Sequence, residues 1–411
     1  MYKKLIVIIP VVLAIIILAL AGYYFITQSN NPTSTNPVVT TFRKFFPLGG
    51  NNTQITEPTT NNNNQNQNPQ VEPVPQKNFT QKLRLLSSEP TSGAGTLDVK
   101  AGTVVRYIEK ATGHIFEIEL FSPNQNRISN TTIPLVYEGI WGNKNASLIA
   151  RYLKDDNQTV DTFSLIIKDL ATSTENTISG IAFPANIADV SVLGSDVFYL
   201  QENSDSSFGF ISSFDGIKKK QIWNSPIKEL LSQFVSPKIV ALTTKPDQNL
   251  PGFLYFVDTG SGQVKRVLGD ILGLSALVNG DGTAVLYLEE GGASELSVFN
   301  IKNNSSQKIS PITFPEKCAW SRKDKNVIYC AVPREYIGGN SLTSWYKGFV
   351  SLTDDVWKYD IKNNTSSTIE NLSLKSGTII DVIKPILSEN EQYLLFINKI
   401  DNSLWSLDLV K

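Results

Sequence analysis

The sequence predicts an all-β fold, a seven-bladed β-propeller set behind an N-terminal apolar anchor, and three observations carry that prediction. Past Gln81, short runs alternate apolar and polar residues between Gly, Asn, Asp and Ser turns, as in "TVVRYIEKATGHIFEIEL" from Thr103 to Leu120. A period of two is the mark of strands. One motif is written twice, as "VFNIKNNSSQKIS" (Val298 to Ser310) and as "KYDIKNNTSSTIE" (Lys358 to Glu370). Finally, the strand count leaves the first strand of the body and the last blade each short of a partner, which a closed ring satisfies.

Residues 1–27 are read as a cytoplasmic stub and anchor. Leu5 to Ile26 reads "LIVIIPVVLAIIILALAGYYFI", about the ~20 apolar residues a helix needs to cross a ~30 Å hydrocarbon core. Lys3 and Lys4 precede it and no basic residue follows until Arg43. The positive-inside bias therefore keeps the N-terminus cytoplasmic and sends the rest out, with Tyr23 and Tyr24 suited to the outer interface. The expectation is a single-pass cell-membrane protein with an extracytoplasmic C-terminal domain. A rival reading is a cleaved signal peptide, since "ALA" at Ala19 to Ala21 fits a cleavage site; the body is exported on either reading.

Residues 28–81 are Asn, Thr, Gln and Pro with few large apolar side chains. Such a segment cannot bury enough surface to offset its ordering entropy, so a disordered linker is expected. A flexible coil of roughly 55 residues spans on the order of 40 Å. One island interrupts it, "FRKFFPLGG" (Phe42 to Gly50), which reads either as a membrane or partner contact or as a local cluster. With 37 Lys and Arg against 38 Asp and Glu, the net charge is -1. No basic field exists to attract a phosphate backbone, so nucleic acid is excluded as an expected partner.

Residues 82–411 carry the repeats. Each twin copy has an apolar strand ending in Asn300 or Asp360, a polar turn, and a short strand with Ile309 or Ile369. Weaker versions place Asp169, Asp258 and Asp408 at the same point, where a short carboxylate or amide side chain accepts from backbone amides just ahead and holds a tight turn. The following strand is tagged by "RISNTTIP", "TISGIAFP" and "KISPITFP". The preceding hairpin is tagged by "WSRKDKNVIYCAV", "LVNGDGTAVLYL", "WGNKNASLIARYL" and "LSENEQYLLFI". Each unit then reads as four antiparallel strands, one propeller blade.

In this pattern the body resembles the TolB-like and WD-repeat-like propellers, across roughly residues 82–411, and the order of segments resembles membrane-anchored propeller proteins of bacterial envelopes. The resemblance implies a fold and no activity. The Trp-Asp dipeptide of true WD repeats is absent, so their partners are not carried over. Fourth strands near Leu83, Ile128, Ile178, Ile222, Val267, Ile309 and Ile369 give seven blades, ahead of six or eight. The strand "KLRLLS" (Lys82 to Ser87) is expected to pair with the last blade and close the ring.

Residues able to carry chemistry are few. Cys318 and Cys330 flank the turn in "CAWSRKDKNVIYC", and a hairpin folded about Asp324 puts them opposite each other. A disulfide is expected, with a reduced buried pair as the alternative and no metal site. "VDTGSG" (Val257 to Gly262) imitates an aspartic-protease signature but occurs once and falls on the recurrent turn, so it reads as structural. His114 is the sole histidine, with no nucleophile motif to serve, and reads as a hairpin edge. Trp141, Trp320 and Trp405 read as packing between blades.

The insertion "PREYIGGNSLTSWYKGFVSLTDD" (Pro333 to Asp355) joins the second and third strands of its blade. Tyr336, Trp345, Tyr346 and Phe349, with Arg334 and Lys347, have the aromatic and cationic character of binding hot spots; the alternative is a lid folded onto its own blade. Asp354, Asp355 and Asp381 have no place that sequence alone assigns. No cofactor is implied. The expected function is a non-catalytic binding or scaffold module for an envelope protein or glycan, with a hydrolase or lyase using channel carboxylates, or a purely structural envelope component, as alternatives.

Overall fold

The computed structural model describes residues 81–410 apart from 130, 168–177, 292 and 339–340. The apolar run Leu5 to Ile26, the linker of residues 28–81 up to its last residue, "FRKFFPLGG" and Asp169 lie outside the described residues. Among the described residues no helix is long and apolar enough to cross a membrane.

The chain past Gln81 is a seven-bladed β-propeller. Among the described residues, 28 strands form seven four-stranded antiparallel sheets. The innermost strands are β2 (Thr91–Val99), β6 (Val136–Gly142), β10 (Ile187–Leu193), β14 (Leu230–Ser236), β18 (Ser275–Val278), β22 (Cys318–Trp320) and β26 (Val382–Leu387). Blades 1 to 6 follow chain order, each built of four consecutive strands. Blade 7 takes its outer strand from the other end of the body: β1 (Leu83–Ser87) pairs with β28 (Leu404–Asp408), with Leu83 opposite Leu407 and Leu85 opposite Trp405. That pairing closes the ring and gives both terminal edges a partner.

Antiparallel order puts the connections from second to third strand, and from one blade to the next, on one face, here called the upper face. The remaining turns lie on the lower face. The twin segments are lower-face turns of neighbouring blades 5 and 6, and Gln307 Nε2 bridges them by donating to Ile361 O at 2.9 Å and Asn364 Oδ1 at 3.1 Å. Asn300 Oδ1 accepts from Asn303 N, Asp258 Oδ1 from Ser261 N, Asp360 Oδ1 from Asn363 N and Asp408 Oδ1 from Val410 N, so the recurrent residue does hold its turn.

The core lies between blades rather than within one. Leu83, Ala331, Val356 and Trp405 share a cluster that spans blades 6 and 7. Trp141 Nε1 donates to Gly93 O and Trp320 Nε1 to Leu277 O, each across a blade junction. A belt of polar bonds adds to this near the axis. Ser92 Oγ donates to Val136 O, Arg151 Nη2 to Ile187 O, Ser232 Oγ to Asp189 Oδ2, Gln233 Nε2 to Val278 O, Ser275 Oγ to Glu316 Oε1, Lys317 Nζ to Asp381 Oδ1 and Lys384 Nζ to Ser92 O. Every blade junction is thereby bridged by at least one direct bond, which satisfies polar groups that the packing of inner strands would otherwise bury unpaired.

Candidate functional site

The upper face of blades 6 and 7 is where irregular chain and buried charge come together. The insertion leaves β23 (Val327–Pro333), forms a short helix α1 (Ser341–Tyr346) and returns at β24 (Asp354–Asp360). A second short helix, α2 (Leu372–Ser376), lies in the connection to blade 7; Asn371 Oδ1 caps it by accepting from Leu374 N, and Gly377 ends it at φ 74°.

Beneath α1, Lys317 Nζ donates to Asp354 Oδ2 at 2.6 Å, Asp381 Oδ1 at 2.5 Å and Val382 O at 3.2 Å. All three ammonium protons are spent, and none of the three ionisable side chains has any exposed surface. Asp381 also accepts from Trp345 Nε1, 3.0 Å from each of its oxygens, and from Leu352 N at 3.0 Å. Two carboxylates against one ammonium is an unbalanced buried charge. Burial, against the pull of Lys317 and a bond from Val382 N, pushes Asp354 up to about 6. Its Oδ1 has no hydrogen-bond partner.

Four further charged groups pin the insertion. Lys399 Nζ, on the blade 7 loop, donates to Trp345 O at 2.6 Å and Val350 O at 3.1 Å, and burial lowers its pKa. Glu290 Oε1 accepts from Leu342 N at 2.7 Å. Glu316 Oε1 accepts from Ser275 Oγ at 2.6 Å and from the Tyr346 hydroxyl. Burial raises both glutamates, and it raises the Tyr346 hydroxyl well above its ordinary value. Arg334 holds Asp355 through two bonds, Nε to Oδ2 at 3.0 Å and Nη2 to Oδ1 at 2.8 Å.

The structure therefore divides the expected binding residues. Tyr336 and Phe349 stand out at 84% and 78% exposure, Tyr346 is 42% exposed with its hydroxyl turned inward, and Lys347 is exposed. Arg334 is committed to Asp355. The placement of Trp345 among accessible contacts is corrected: it is 4% exposed, its ring 5.4 Å from that of Phe314, with Lys317 Nζ 4.9 Å and Lys399 Nζ 4.7 Å from the ring centroid. An indole hides a large apolar ring and has one N–H to satisfy, and Asp381 supplies that acceptor here. The lid alternative describes Trp345; the exposed hot-spot pattern describes Tyr336 and Phe349.

Sequence reasoning missed Lys317, Lys399, Glu290 and Glu316. A signal existed for Lys317, which with Glu316 forms a charged pair inside the otherwise apolar stretch "FPEKCAW". Cys318 and Cys330 are opposite each other in the hairpin and joined by a disulfide. Asp258, in "VDTGSG", is bound to its own turn, and bonds from Ser261 hold its carboxyl below the usual range. His114 lies just before β4 (Ile115–Glu119), its Nε2 3.4 Å from Thr132 Oγ1. Among the described residues no group of three or more His, Cys, Asp or Glu could hold a metal ion.

Nearer the axis, Glu138 Oε2 is 2.9 Å from Arg151 Nη1 and its Oε1 is 3.5 Å from Lys384 Nζ. Burial works to raise Glu138, but these two cations outweigh it and leave it below the usual range. On the neighbouring inner strand, burial outweighs two bonds from Ser232 and pushes Asp189 up to about 6.

The fold is similar to that of YCF48 from Cyanidioschyzon merolae, with a TM-score of 0.51 and 9% identity over 80% of this chain and 100% of that one. An oligogalacturonate lyase from Vibrio parahaemolyticus has a TM-score of 0.47 and 10% identity over 78% of this chain and 97% of the lyase. TolB from Acinetobacter baumannii has a TM-score of 0.40 and 12% identity over 77% of this chain and 63% of TolB. No protein-family model matches the chain, and no curated protein matches it. The chain is a β-propeller, and at these identities the likeness is one of fold alone.

Proposed function

We propose that this chain is a membrane-tethered, extracytoplasmic β-propeller acting as a non-catalytic binding or scaffold module for an envelope protein or glycan. The observation that carries the non-catalytic half is closure. Where two carboxylates and an ammonium meet, at Lys317, Asp354 and Asp381, none has exposed surface, and an acid or base must reach the proton it moves. The binding half is supported by Tyr336 and Phe349, exposed on a long insertion that a rigid scaffold holds from below. The tether is supported by the apolar run Leu5 to Ile26 behind Lys3 and Lys4.

Purification of the full chain from detergent-solubilised native membranes tests this. A partner should co-purify with the wild type and fall by about tenfold when Tyr336 and Phe349 are both replaced by alanine, with no change in thermal midpoint. Equal recovery would remove these residues from the site. Alkaline extraction should leave the chain with the membrane, and its release would contradict the tether.

The hydrolase or lyase reading is favoured by one observation: Glu138 and Asp189, on neighbouring inner strands, are pushed in opposite directions, an arrangement that suits a base and an acid. Against it, both Glu138 oxygens face Arg151 and Lys384, and Asp189 Oδ2 accepts both the N–H and the hydroxyl of Ser232. The Lys384 and Ser232 contacts run between blades and the Arg151 contact lies within blade 2, so packing of the inner strands accounts for the shifts without a substrate.

A further inference from the structure

A cleft of about 450 Å³ opens on the rim of the ring at the junction of blades 2 and 3, within the ~300–1,000 Å³ of small-molecule sites. One wall is Ile181 and Ala182, at the end of β9 (Ile178–Ala182), with Phe183 after them. The other is Tyr199 from β11 (Asp196–Glu202), with Asp215 and Lys219 from the turn after β12 (Ser207–Ser213). Tyr199 is buried to 1% exposure, its ring edge-on to Phe183 at 5.4 Å and stacked on Phe210 at 5.4 Å. Two other tyrosines are buried as deeply and both satisfy their hydroxyls: Tyr107 Oη accepts from Gln125 Nε2 at 2.7 Å, and Tyr359 Oη donates to Pro311 O at 2.6 Å. The Tyr199 hydroxyl has no hydrogen-bond partner among the described residues, and burial alone pushes it up to about 12. A buried hydroxyl is costly to leave unpaired. Ser212 Oγ, in the same wall, is also unpaired but sealed off; the Tyr199 oxygen is not sealed, so it opens on the cleft its side chain lines.

The other polar groups of the cleft narrow the ligand class. Lys219 Nζ stands 4.0 Å from the Phe210 ring centroid and makes no hydrogen bond or ion pair among the described residues. Asp215 accepts at Oδ1 from Ser213 Oγ and Ile217 N, which leaves Oδ2 to accept from a ligand. Of the adjacent lysines, Lys218 is drawn to Asp215, and Lys220 Nζ is spent on Thr259 O at 2.8 Å and Gly260 O at 2.7 Å, on blade 4. A phosphate calls for clustered cations or a run of free backbone N–H groups, and here it would meet one ammonium and a carboxylate. An apolar peptide would leave hydroxyl, carboxylate and ammonium unpaired. A sugar pairs all three with its own hydroxyls, each both donor and acceptor, and lays its C–H face against Ile181 and Phe183.

We propose that this cleft is a saccharide site, in which the Tyr199 hydroxyl, Asp215 and Lys219 bond sugar hydroxyls while Ile181 and Phe183 take the apolar face of the ring. Resting on the binding-module reading above, this names a glycan ligand, at a site that does not involve Tyr336 or Phe349.

The test applies the full chain, in a detergent without a sugar headgroup, to an array of neutral, N-acetylated and uronate-containing oligosaccharides, with inorganic phosphate and a mixed peptide pool as competitors. At least one oligosaccharide should bind and resist both competitors. Its affinity should fall about five- to tenfold in Tyr199→Phe, which keeps the ring and gives up no internal bond, so the thermal midpoint should not fall. Ala182→Trp, which fills the cleft from an exposed position, should abolish binding, and the Tyr336→Ala, Phe349→Ala double variant should bind as the wild type does. No bound oligosaccharide, displacement by phosphate or peptide, or an affinity indifferent to Tyr199→Phe would overturn the saccharide site. If a partner still co-purifies through Tyr336 and Phe349, the binding-module reading survives that failure; oligosaccharide binding lost only in the double variant would likewise overturn this cleft and leave that reading standing.

Discussion

The junction between blades 1 and 2 and the junction between blades 6 and 7 join similar inner strands by opposite means. At the first, backbone meets backbone: a Cβ built on Gly93 would lie 1.9 Å from Gly139 O, and the side chains that bond across, Ser92 and Trp141, are uncharged and reach main-chain carbonyls. At the second, side chains do the joining: Lys317 reaches from the start of blade 6 to Asp381 at the start of blade 7 and to Asp354 between them. The difference teaches why irregular chain gathers where it does. Backbone contact leaves no room for an insertion, whereas a gap filled by three charged side chains needs a cover to exclude water, and α1 with Trp345 is that cover.

The largest effect should come from removing the cation. Lys317→Ala leaves Asp354 and Asp381 buried with no counter-charge, a loss of about 3–5 kcal/mol, read as a lowered unfolding midpoint and as faster proteolysis between residues 333 and 355. A loss below ~1 kcal/mol would mean that water already reaches the pair.

Next comes acidity. Asp354 sits at about 6 in the fold against an ordinary 3.8, so the folded state holds its proton more tightly than the unfolded chain does. Its contribution is then most favourable below pH ~4 and declines as pH rises through ~6, by on the order of 3 kcal/mol. Lys317 and Asp381 face it from the neighbouring elements. Asp354→Asn cannot titrate and should flatten that part of the stability profile between pH 4 and 6, and parallel profiles for the two proteins would contradict the assignment.

The smallest of the three is Gly93→Ala. The clash with Gly139 must be relieved by moving a strand, at about 1–3 kcal/mol, and the cost should not vary with pH or salt. A pH-dependent cost would show that charge contributes to both junctions.

The sequence was informative where the fold repeats. Twin turns, the recurrent Asn or Asp, and a first strand without a blade are consequences of a unit used seven times, so "KLRLLS" declares by its own isolation the pairing it makes with β28. The candidate site was far less legible, because it is the place where the repeat is broken. "NSLTSWY" shows no long 3.6-residue period, and α1 has only six residues, too few for a helix to declare itself without tertiary support. Aromatic character alone cannot separate Trp345, turned in to an acceptor on another blade, from Phe349, turned out. Lys317, Asp354 and Asp381 span more than sixty residues of sequence, with separations of 37 and 64 from the lysine, and only the ring brings them together.

Lysine reactivity tests the central claim most directly. Brief treatment of the native full chain with an amine-directed reagent, followed by peptide mass spectrometry, should modify Lys347 and Lys375 readily and leave Lys317 unmodified until the propeller unfolds. Modification of Lys317 at a rate comparable to Lys347 in the native chain would show an open constellation of lysine and carboxylates, contradicting the burial of Lys317, Asp354 and Asp381 beneath α1 and the non-catalytic reading built on it.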